Sequence, residues 1–519
     1  MFLSSNSWKD RTRLPNYRFW IAWSIAIVIV FVVHLLTLTI SLPIWQDEVQ
    51  IIEYGRLTLE PQSDWSLNWS VLTNKPIYLF SYLGVILQEL AFRASNLSMV
   101  GPRLASLLGA IIAATAFLGW LLSRKTPKRV AWILALIFLL EPLFVQSYRG
   151  ARVDCWVFAL CFASCWMLRL AMERIQNGQR SIWLVTLAGS LTAANIFVWP
   201  SAVLLYPLVI VELVELIQRV QTVSKDWKTS LSQIILFAVG AGITAILLVI
   251  PIWWHITRIL SDLQLIGSAD KRLNTETEII SALKNTLFIY KFNPLLPIIV
   301  LIGFIFSHEN KLRLTTLFLL VFIVITRSYA LRVIYLSPYI LCLFGGIFQY
   351  FEQKRQTKIH RRIASSLLIL LLTWSIVLSL VVRPVMVLSQ KEGRNPQLIY
   401  NAGISSIGTG SHKVYLDVFP FYYVGRSLGW KMFLPFGFPF DRRSEDLQQG
   451  NDVKFRQLLS SVDYAIVPQN ITPEMISLIE EAGLRYQKTL VNSAKNDYIN
   501  EKVKQFIIPP YGPYMLYIR

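Results

Sequence analysis

The feature that most limits what this chain can become is a series of uncharged apolar stretches, each long enough to cross about 30 Å of hydrocarbon as a helix. Backbone inside lipid must satisfy its own hydrogen bonds, and uninterrupted runs of this length do so as helices. Spans are expected near residues 20–43, 103–122, 129–147, 153–171, 182–199, 200–218, 231–253, 287–306, 312–328, 331–350 and 363–382. The fold class expected is therefore an all-α polytopic membrane protein of about eleven transmembrane helices. Lys9, Arg11, Arg13 and Arg18 precede the first run, which reads as a retained anchor and not as a cleavable signal peptide.

The 519 residues are 54% hydrophobic and carry a formal charge of +19. In a soluble protein that excess would suggest nucleic acid; here much of it lies in short loops between spans, where it sets orientation, and no nucleic-acid partner is expected. One stretch decides the orientation. Ile77 to Phe92 is apolar but short, with Gln88 and Glu89 inside it, and counting it as a span reverses everything that follows. If it does not cross, five basic loops share the side of the basic N-terminus: Arg124 to Arg129, Arg174 with Arg180, Arg219 to Lys228, Lys311 with Arg313, and Lys354 to Arg362. If it crosses, all five move outside while the N-terminus stays in. The first arrangement obeys the positive-inside rule throughout. Residues 77–92 are thus expected to form an amphipathic helix lying at the outer interface. The N-terminus is expected to be cytoplasmic, in what reads as a bacterial plasma (inner) membrane protein.

Eleven spans place the tail, Arg383 to Arg519, outside. Its composition changes: Val414 to Val418 and Tyr464 to Val467 read as strands. Pro473 to Gly483 reads as a helix with Thr472 as N-cap. The division expected is a transmembrane domain at 1–383, with an outer loop at 44–102, and a small extracytoplasmic α/β domain at 384–519. Cys155, Cys161, Cys165 and Cys342 all fall in apolar segments and read as small core residues. Cys161 and Cys165 lack nearby His or Cys partners for a metal.

Asp47 and Glu48 directly follow the first span. From Ile21 to Ile44 nothing carries a charge except His34 when protonated, so the pair sits where hydrocarbon gives way to water. A carboxylate costs about 2.5–3.5 kcal/mol at a helix centre and less toward the interface. By itself the pair reads as the solvated start of a loop. The topology, however, puts several polar groups on the same outer face: Lys75, then Arg149, Arg152 and Asp154, then the turn from Arg327 to Tyr335. Singly, Arg327, Arg332, Tyr329 and Tyr335 also read as interfacial anchors, and Arg152 with Asp154 as a pair at a helix start. Their side argues for more, because positive charge belongs mostly inside and these short outer turns still carry Arg149, Arg152, Arg327 and Arg332. A mixed cluster there suits a lipid-borne anion, held by Lys and Arg, and a reaction in which an Asp takes a proton from a hydroxyl.

At these residues the sequence resembles the GT-C membrane glycosyltransferases, in the branch of the protein O-mannosyltransferases and the lipid A aminoarabinose transferase. The stretches that carry the resemblance are Asp47-Glu48, Lys75-Pro76-Ile77-Tyr78 and Arg103-Leu104-Ala105-Ser106-Leu107-Leu108-Gly109. Ala151-Arg152-Val153-Asp154 is similar to the family's second acidic motif, and Arg332-Val333-Ile334-Tyr335-Leu336-Ser337-Pro338 to its late turn, with the Tyr displaced. The resemblance implies transfer of a hexosyl or pentosyl unit from a polyprenyl-phosphate-linked donor to a hydroxyl of a glycan, lipid or protein acceptor in the cell envelope. It implies Asp47 as general base, with inversion, and a catalytic site shared with Asp154, which would orient the acceptor or Lys75, and with Glu48, which would support Asp47 or instead face solvent or cap the following helix. Lys75, Arg152 and Arg332 would hold the donor phosphate, and Tyr78 and Tyr335 would contact substrate. No cofactor is required beyond the lipid-linked sugar, because a phosphate leaves readily; a divalent metal is allowed but an Asp-Glu pair alone does not point to one.

Phe419 to Tyr423 and Trp430 to Phe440 read either as a cover over the site or as packing of the tail on the membrane domain. The competing functional classes are a transporter or flippase of lipid-linked sugars, which the scarcity of mid-span charge disfavours, and a lipid-linked glycan ligase or polymerase. A cysteine placed at Asn74 should react with an impermeant thiol reagent from outside, and one at Lys128 should be protected; the reverse pattern would invert the orientation.

Overall fold

A computed structural model of the chain describes residues 17–40, 44, 46–67, 81–257, 280, 293–307, 309–325, 330–354, 358–434, 455–491 and 511–519. Helices fall on each of the eleven apolar stretches. Among the described residues, six helices are long and apolar enough to cross a membrane by length and composition, or seven if one bent pair counts as a span. The chain is an integral membrane protein, and the described residues neither establish nor exclude the eleven crossings expected.

In order, the helices are α1 (Tyr17–Leu36), α2 (Gln46–Leu59), α3 (Tyr82–Ala94), α4 (Val100–Ser123), α5 (Lys128–Leu139), α6 (Pro142–Arg149), α7 (Asp154–Gln176), α8 (Ile182–Val198), α9 (Tyr206–Ser224) and α10 (Trp227–Val249). After them come α11 (Leu295–Phe306), α12 (Asn310–Ile325), α13 (Ser337–Lys354), α14 (Lys358–Ile376) and α15 (Arg383–Ser389). A 3₁₀ turn, Ala330–Leu336, leads into α13, and a π-helical turn, Val377–Val382, joins α14 to α15.

The span expected at 129–147 is the bent pair α5–α6, turned by 53°. Pro142 has no N–H to continue the helix, and Glu141 instead caps a new one by accepting from Phe144 N at 2.7 Å. Helices α4 and α7 pack centrally, and the span through α13 is almost wholly enclosed, whereas α10 leaves most of its side chains open, as a lipid-facing helix does.

The helix expected at 77–92 is α3, and its surroundings differ from the expectation; residues 77–80 lie outside the described ones. Gln88 and Glu89 do not face water. Gln88 is buried and donates to Ser106 Oγ of α4 at 2.6 Å, and Glu89 is buried against arginines. The reason is that α2 and α3 are covered on two sides. Ile51, Tyr54 and Val85 join the core of the membrane bundle. Val49, Ile52 and Phe92 join a second core made mostly by the tail.

That tail continues with α16 (Pro396–Ser406), β1 (Lys413–Leu416), α17 (Phe421–Leu428), β2 (Lys431–Phe433), β3 (Tyr464–Pro468), α18 (Pro473–Glu481), β4 (Arg485–Leu490) and β5 (Tyr514–Ile518). The five strands form one sheet in the order β2-β1-β3-β5-β4. β1 lies parallel to β2 and β3, while β5 runs antiparallel to β3 and β4. The expected strands and helix are present, with Thr472 at the N-cap and Gly483 in the left-handed region at φ +88°.

Gly55 sets how closely α2 approaches α3. A Cβ there would lie 2.2 Å from the Val85 carbonyl oxygen and 2.6 Å from Glu89 Cβ, so any side chain must push the helices apart. Gly55→Val should therefore lower the thermal unfolding midpoint, with a cost of about 1–3 kcal/mol typical of overpacking; an unchanged midpoint would show that the helices are not in contact.

Candidate active site

Two adjacent residues in the first turn of α2 take different partners, because successive side chains on a helix point about 100° apart. Asp47 turns toward the start of α7, and Glu48 toward α4.

The Asp47 carboxylate forms an ion pair with Arg152. Arg152 lies in the tight turn between α6 and α7, where Ala151 adopts a left-handed φ of +51°. Its Nε donates to Asp154 Oδ2 at 2.7 Å. Asp154 is held in turn by Ser147 Oγ, which donates to Oδ2 at 3.0 Å, and by the Tyr335 hydroxyl, which donates to Oδ1 at 2.6 Å. The Tyr335 ring stacks on Phe158 of α7, with centroids 4.9 Å apart. Three separate segments thus fix one guanidinium.

Exposure separates the roles. The Asp154 side chain is 1% exposed and Arg152 12%, whereas Asp47 retains 31%. Asp47 is the open carboxylate of the triad, and among the described residues its Oδ1 has no hydrogen-bond partner. Burial raises the Asp47 pKa above the usual carboxylate range; Arg152 opposes the rise and Asp154 adds to it. Burial works against the charge of Arg152, but Asp154 and Asp47 hold its pKa above the ordinary arginine value.

Glu48 is fully buried, and Arg103 Nε and Nη2 each donate to it at 2.8 Å. The same arginine donates from Nη1 to the Leu38 carbonyl at 2.9 Å, and the Tyr423 hydroxyl of α17 donates to Glu48 Oε1 at 2.8 Å. The carboxylate expected beside Asp47 in catalysis is thus committed to a buried pair that ties the end of α1, α2, α4 and the tail together. Two further acids repeat the pattern. Glu53 accepts from Arg56 at 2.7 and 2.9 Å and from the Tyr422 hydroxyl at 2.7 Å, and Arg56 and Tyr422 keep its pKa low although burial pushes the other way. Glu89 pairs with Arg426 at 2.7 Å. The aromatic stretch Phe419 to Tyr423 therefore packs the tail onto α2 and α3.

Of the other residues singled out in the sequence, Lys75, Tyr78, Arg327 and Tyr329 lie outside the described residues. Arg332 is part-buried on the 3₁₀ turn that delivers Tyr335. Tyr335 is buried and orients Asp154. Arg149 stands apart from the triad, donating to His34 Nδ1 at 2.6 Å and to the Thr37 carbonyl at 2.6 Å. Ser147 carries no sequence signal, being a small polar residue in an apolar run, and Tyr423 is marked only as part of the aromatic stretch Phe419 to Tyr423. Asp47 and Asp154 are the two carboxylates here that can share a cation. The cation between them in this structure is Arg152, and among the described residues no third His, Cys, Asp or Glu completes a metal-binding group.

No protein-family model matches the chain, and no curated protein matches it by sequence. The fold is shared with ArnT from Cupriavidus metallidurans in its crystal structure bound to undecaprenyl phosphate: TM-score 0.55 at 11% identity, covering 96% of this chain and 98% of that one. The apo form of ArnT superposes with a TM-score of 0.52 over the same shares. A weaker overlap, TM-score 0.49 at 11% identity, is found with the apo oligosaccharyltransferase of Archaeoglobus fulgidus, over 93% of this chain and 74% of that one. ArnT is a GT-C glycosyltransferase, the chain spans nearly its whole length, and the two proteins share one fold.

Proposed function

We propose that this protein is an integral membrane glycosyltransferase that moves a sugar from a polyprenyl-phosphate carrier to an acceptor hydroxyl on the outer side of the membrane. The observation that carries this reading is the triad. A partly open carboxylate, Asp47, is paired with a guanidinium that a buried Asp154 holds in place. The ArnT fold, seen with undecaprenyl phosphate in that protein, supports the donor class.

In this scheme the acceptor O–H gives its proton to Asp47. The acceptor oxygen forms a bond to the anomeric carbon as the bond from that carbon to the phosphate oxygen breaks. The electron pair leaves on the phosphate, and attack opposite the leaving group inverts the anomeric centre. General-base help of this kind is worth about 10²–10⁴-fold.

Arg152 orients Asp47 and keeps enough of it ionised to act. The triad carries two carboxylates and one guanidinium, so by itself it is net negative and would repel a phosphate. Lys75 and Arg332 are therefore assigned the donor phosphate, with Arg152 contributing from behind Asp47. Tyr335 and Ser147 act through Asp154, and Tyr78 is kept as a substrate contact. Glu48 is assigned to holding α2. The scheme routes no step through a cofactor. The setting proposed is a bacterial inner membrane, with the N-terminus cytoplasmic and the α/β domain outside.

Purified protein given a radiolabelled polyprenyl-phosphate sugar and membrane extract should transfer label. Asp47→Asn should lower the rate by about 10²–10⁴-fold with the unfolding midpoint unchanged; wild-type transfer by that variant would sink the mechanism.

The reaction needs Asp47 deprotonated, so kcat/KM should fall as pH drops through its raised pKa. That acid limb should lie above the ordinary Asp value of about 4. Arg152→Gln removes the paired guanidinium that lowers this pKa, so the limb should move to higher pH; a shift to lower pH would contradict the assignment.

Glu48→Gln should lower the unfolding midpoint, as the loss of one partner of a buried pair costs about 3–5 kcal/mol. Loss of transfer at an unchanged midpoint would instead make Glu48 a chemical participant.

A further inference from the structure

At the end of the bundle opposite Asp47, five helices meet around charges that the proposed reaction does not use. Arg124, directly after α4, pairs with Glu212 of α9 and with Glu309 at the start of α12. Arg169 of α7 pairs with the same Glu212, and with Glu215 at 2.6 Å. Trp120 Nε1 donates to Glu212 at 2.9 Å, and Gln349 of α13 donates to the Arg124 carbonyl at 2.7 Å. Each of these three acids is held by at least one of the two arginines, and Glu212 by both.

A recess of about 350 Å³ opens directly onto this network, lined among others by Lys125, Arg169, Glu173, Glu215, Arg219 and Lys311. Counting floor and mouth together, Arg124, Lys125, Arg169, Arg219 and Lys311 face Glu173, Glu212, Glu215 and Glu309. Five cations against four carboxylates leave one positive charge. Lys125 faces Glu173 and Arg169 serves the floor, so the excess sits at the mouth, on Arg219 and Lys311. Both are exposed; Lys311 Nζ donates to the neutral Gln218 Oε1 at 2.5 Å, and among the described residues neither forms an ion pair with a carboxylate.

The recess lies at headgroup depth. Trp183 begins α8 and Trp227 begins α10 at this same end, each more than half exposed, and Trp253 and Trp254 mark the far end of the α10 span. Exposed tryptophans of this kind sit where lipid meets water. Lys311 also shares one helix face with Leu314 and Phe318, both exposed apolar side chains running away from the recess along α12. A cation at the rim with an apolar stripe below it is the pattern of a phospholipid: phosphate above, acyl chain beneath. Basic pockets between spans on the cytoplasmic side are suited to anionic headgroups, and an arginine fork can take two phosphate oxygens at once.

We propose that this recess binds the phosphodiester headgroup of an anionic phospholipid of the inner leaflet, held by Arg219 and Lys311, with an acyl chain along Leu314 and Phe318. The single excess charge matches one phosphodiester. The site lies on the opposite face from the triad and does not depend on the reaction assigned there.

The test uses full-length protein in detergent, with bound lipid read by native mass spectrometry and stability by thermal unfolding. Added phosphatidylglycerol should be retained and should raise the midpoint, while phosphatidylcholine should do neither. The Arg219→Gln/Lys311→Gln double variant should retain at least tenfold less phosphatidylglycerol, each single variant should lose part of it, and the charge-keeping Arg219→Lys/Lys311→Arg exchange should restore it. Equal retention of the two lipids, or an undiminished response in the neutralised variants, would overturn the proposal. Soluble glycerol 3-phosphate giving the full stabilisation would overturn the lipid assignment in favour of a soluble phosphate.

Discussion

The buried pair between Glu48 and Arg103 is the contact on which the rest of this architecture depends. Both side chains are fully shielded, and the exchange of two parallel hydrogen bonds, each 2.8 Å, is the geometry in which such a pair best offsets the cost of removing two charges from water. The remaining capacity is used as well: Arg103 holds the Leu38 carbonyl just past α1, and Tyr423 brings in the tail. A pair of this kind contributes little net stability against a well-packed apolar substitute. What it contributes is placement. It fixes the rotation of α2 about its own axis, and that rotation decides where Asp47 points.

The division of labour between two neighbouring acids follows. A helix turns about 100° per residue, so anchoring Glu48 on α4 swings Asp47 toward the α6–α7 turn. There Arg152 is presented by a chain of contacts running through Asp154 to Ser147 and Tyr335. The resulting site resembles a hinge pin and a latch set side by side: one carboxylate rigid and saturated, the other with an oxygen that has no partner among the described residues and a raised affinity for protons. Burial makes an Asp a stronger base than it is in water, and the adjacent guanidinium keeps that base from being neutralised altogether.

Much of this was legible in the sequence. The apolar runs gave the helices, because lipid leaves few other solutions to an uncharged run of that length. Asp47, Arg152 and Asp154 stood out because carboxylates and guanidiniums are conspicuous at the edge of hydrocarbon. Pro473 and Gly483 punctuated a tail helix through their fixed and permissive backbones. What stayed hidden depended on distant partners. Arg103 was visible as part of a motif, but nothing local shows that it meets Glu48, or that Tyr423 closes over both. Gln88 and Glu89 read as a wet face because polarity on a short helix usually means water; a covering domain supplied by the tail, with Arg426 as counter-charge, reverses that inference. The break at Glu141 was likewise missed, since a Pro within an apolar run is tolerated in many membrane helices.

The three acids that α17 covers have a temporal meaning. Glu48, Glu53 and Glu89 belong to the early part of the chain, while Tyr422, Tyr423 and Arg426 reach them only after every helix of the bundle has been made. Until then the carboxylates have only their early-chain arginines and lack the tail's hydroxyls and guanidinium, and α2 lacks the contacts that hold it between two cores. The tail domain, made after the bundle, is in this sense a closing step of assembly: the cover over these acids is complete only once the tail has arrived on them. A chain that inserts correctly but fails to deliver its tail would have all its membrane helices and no cover over these acids.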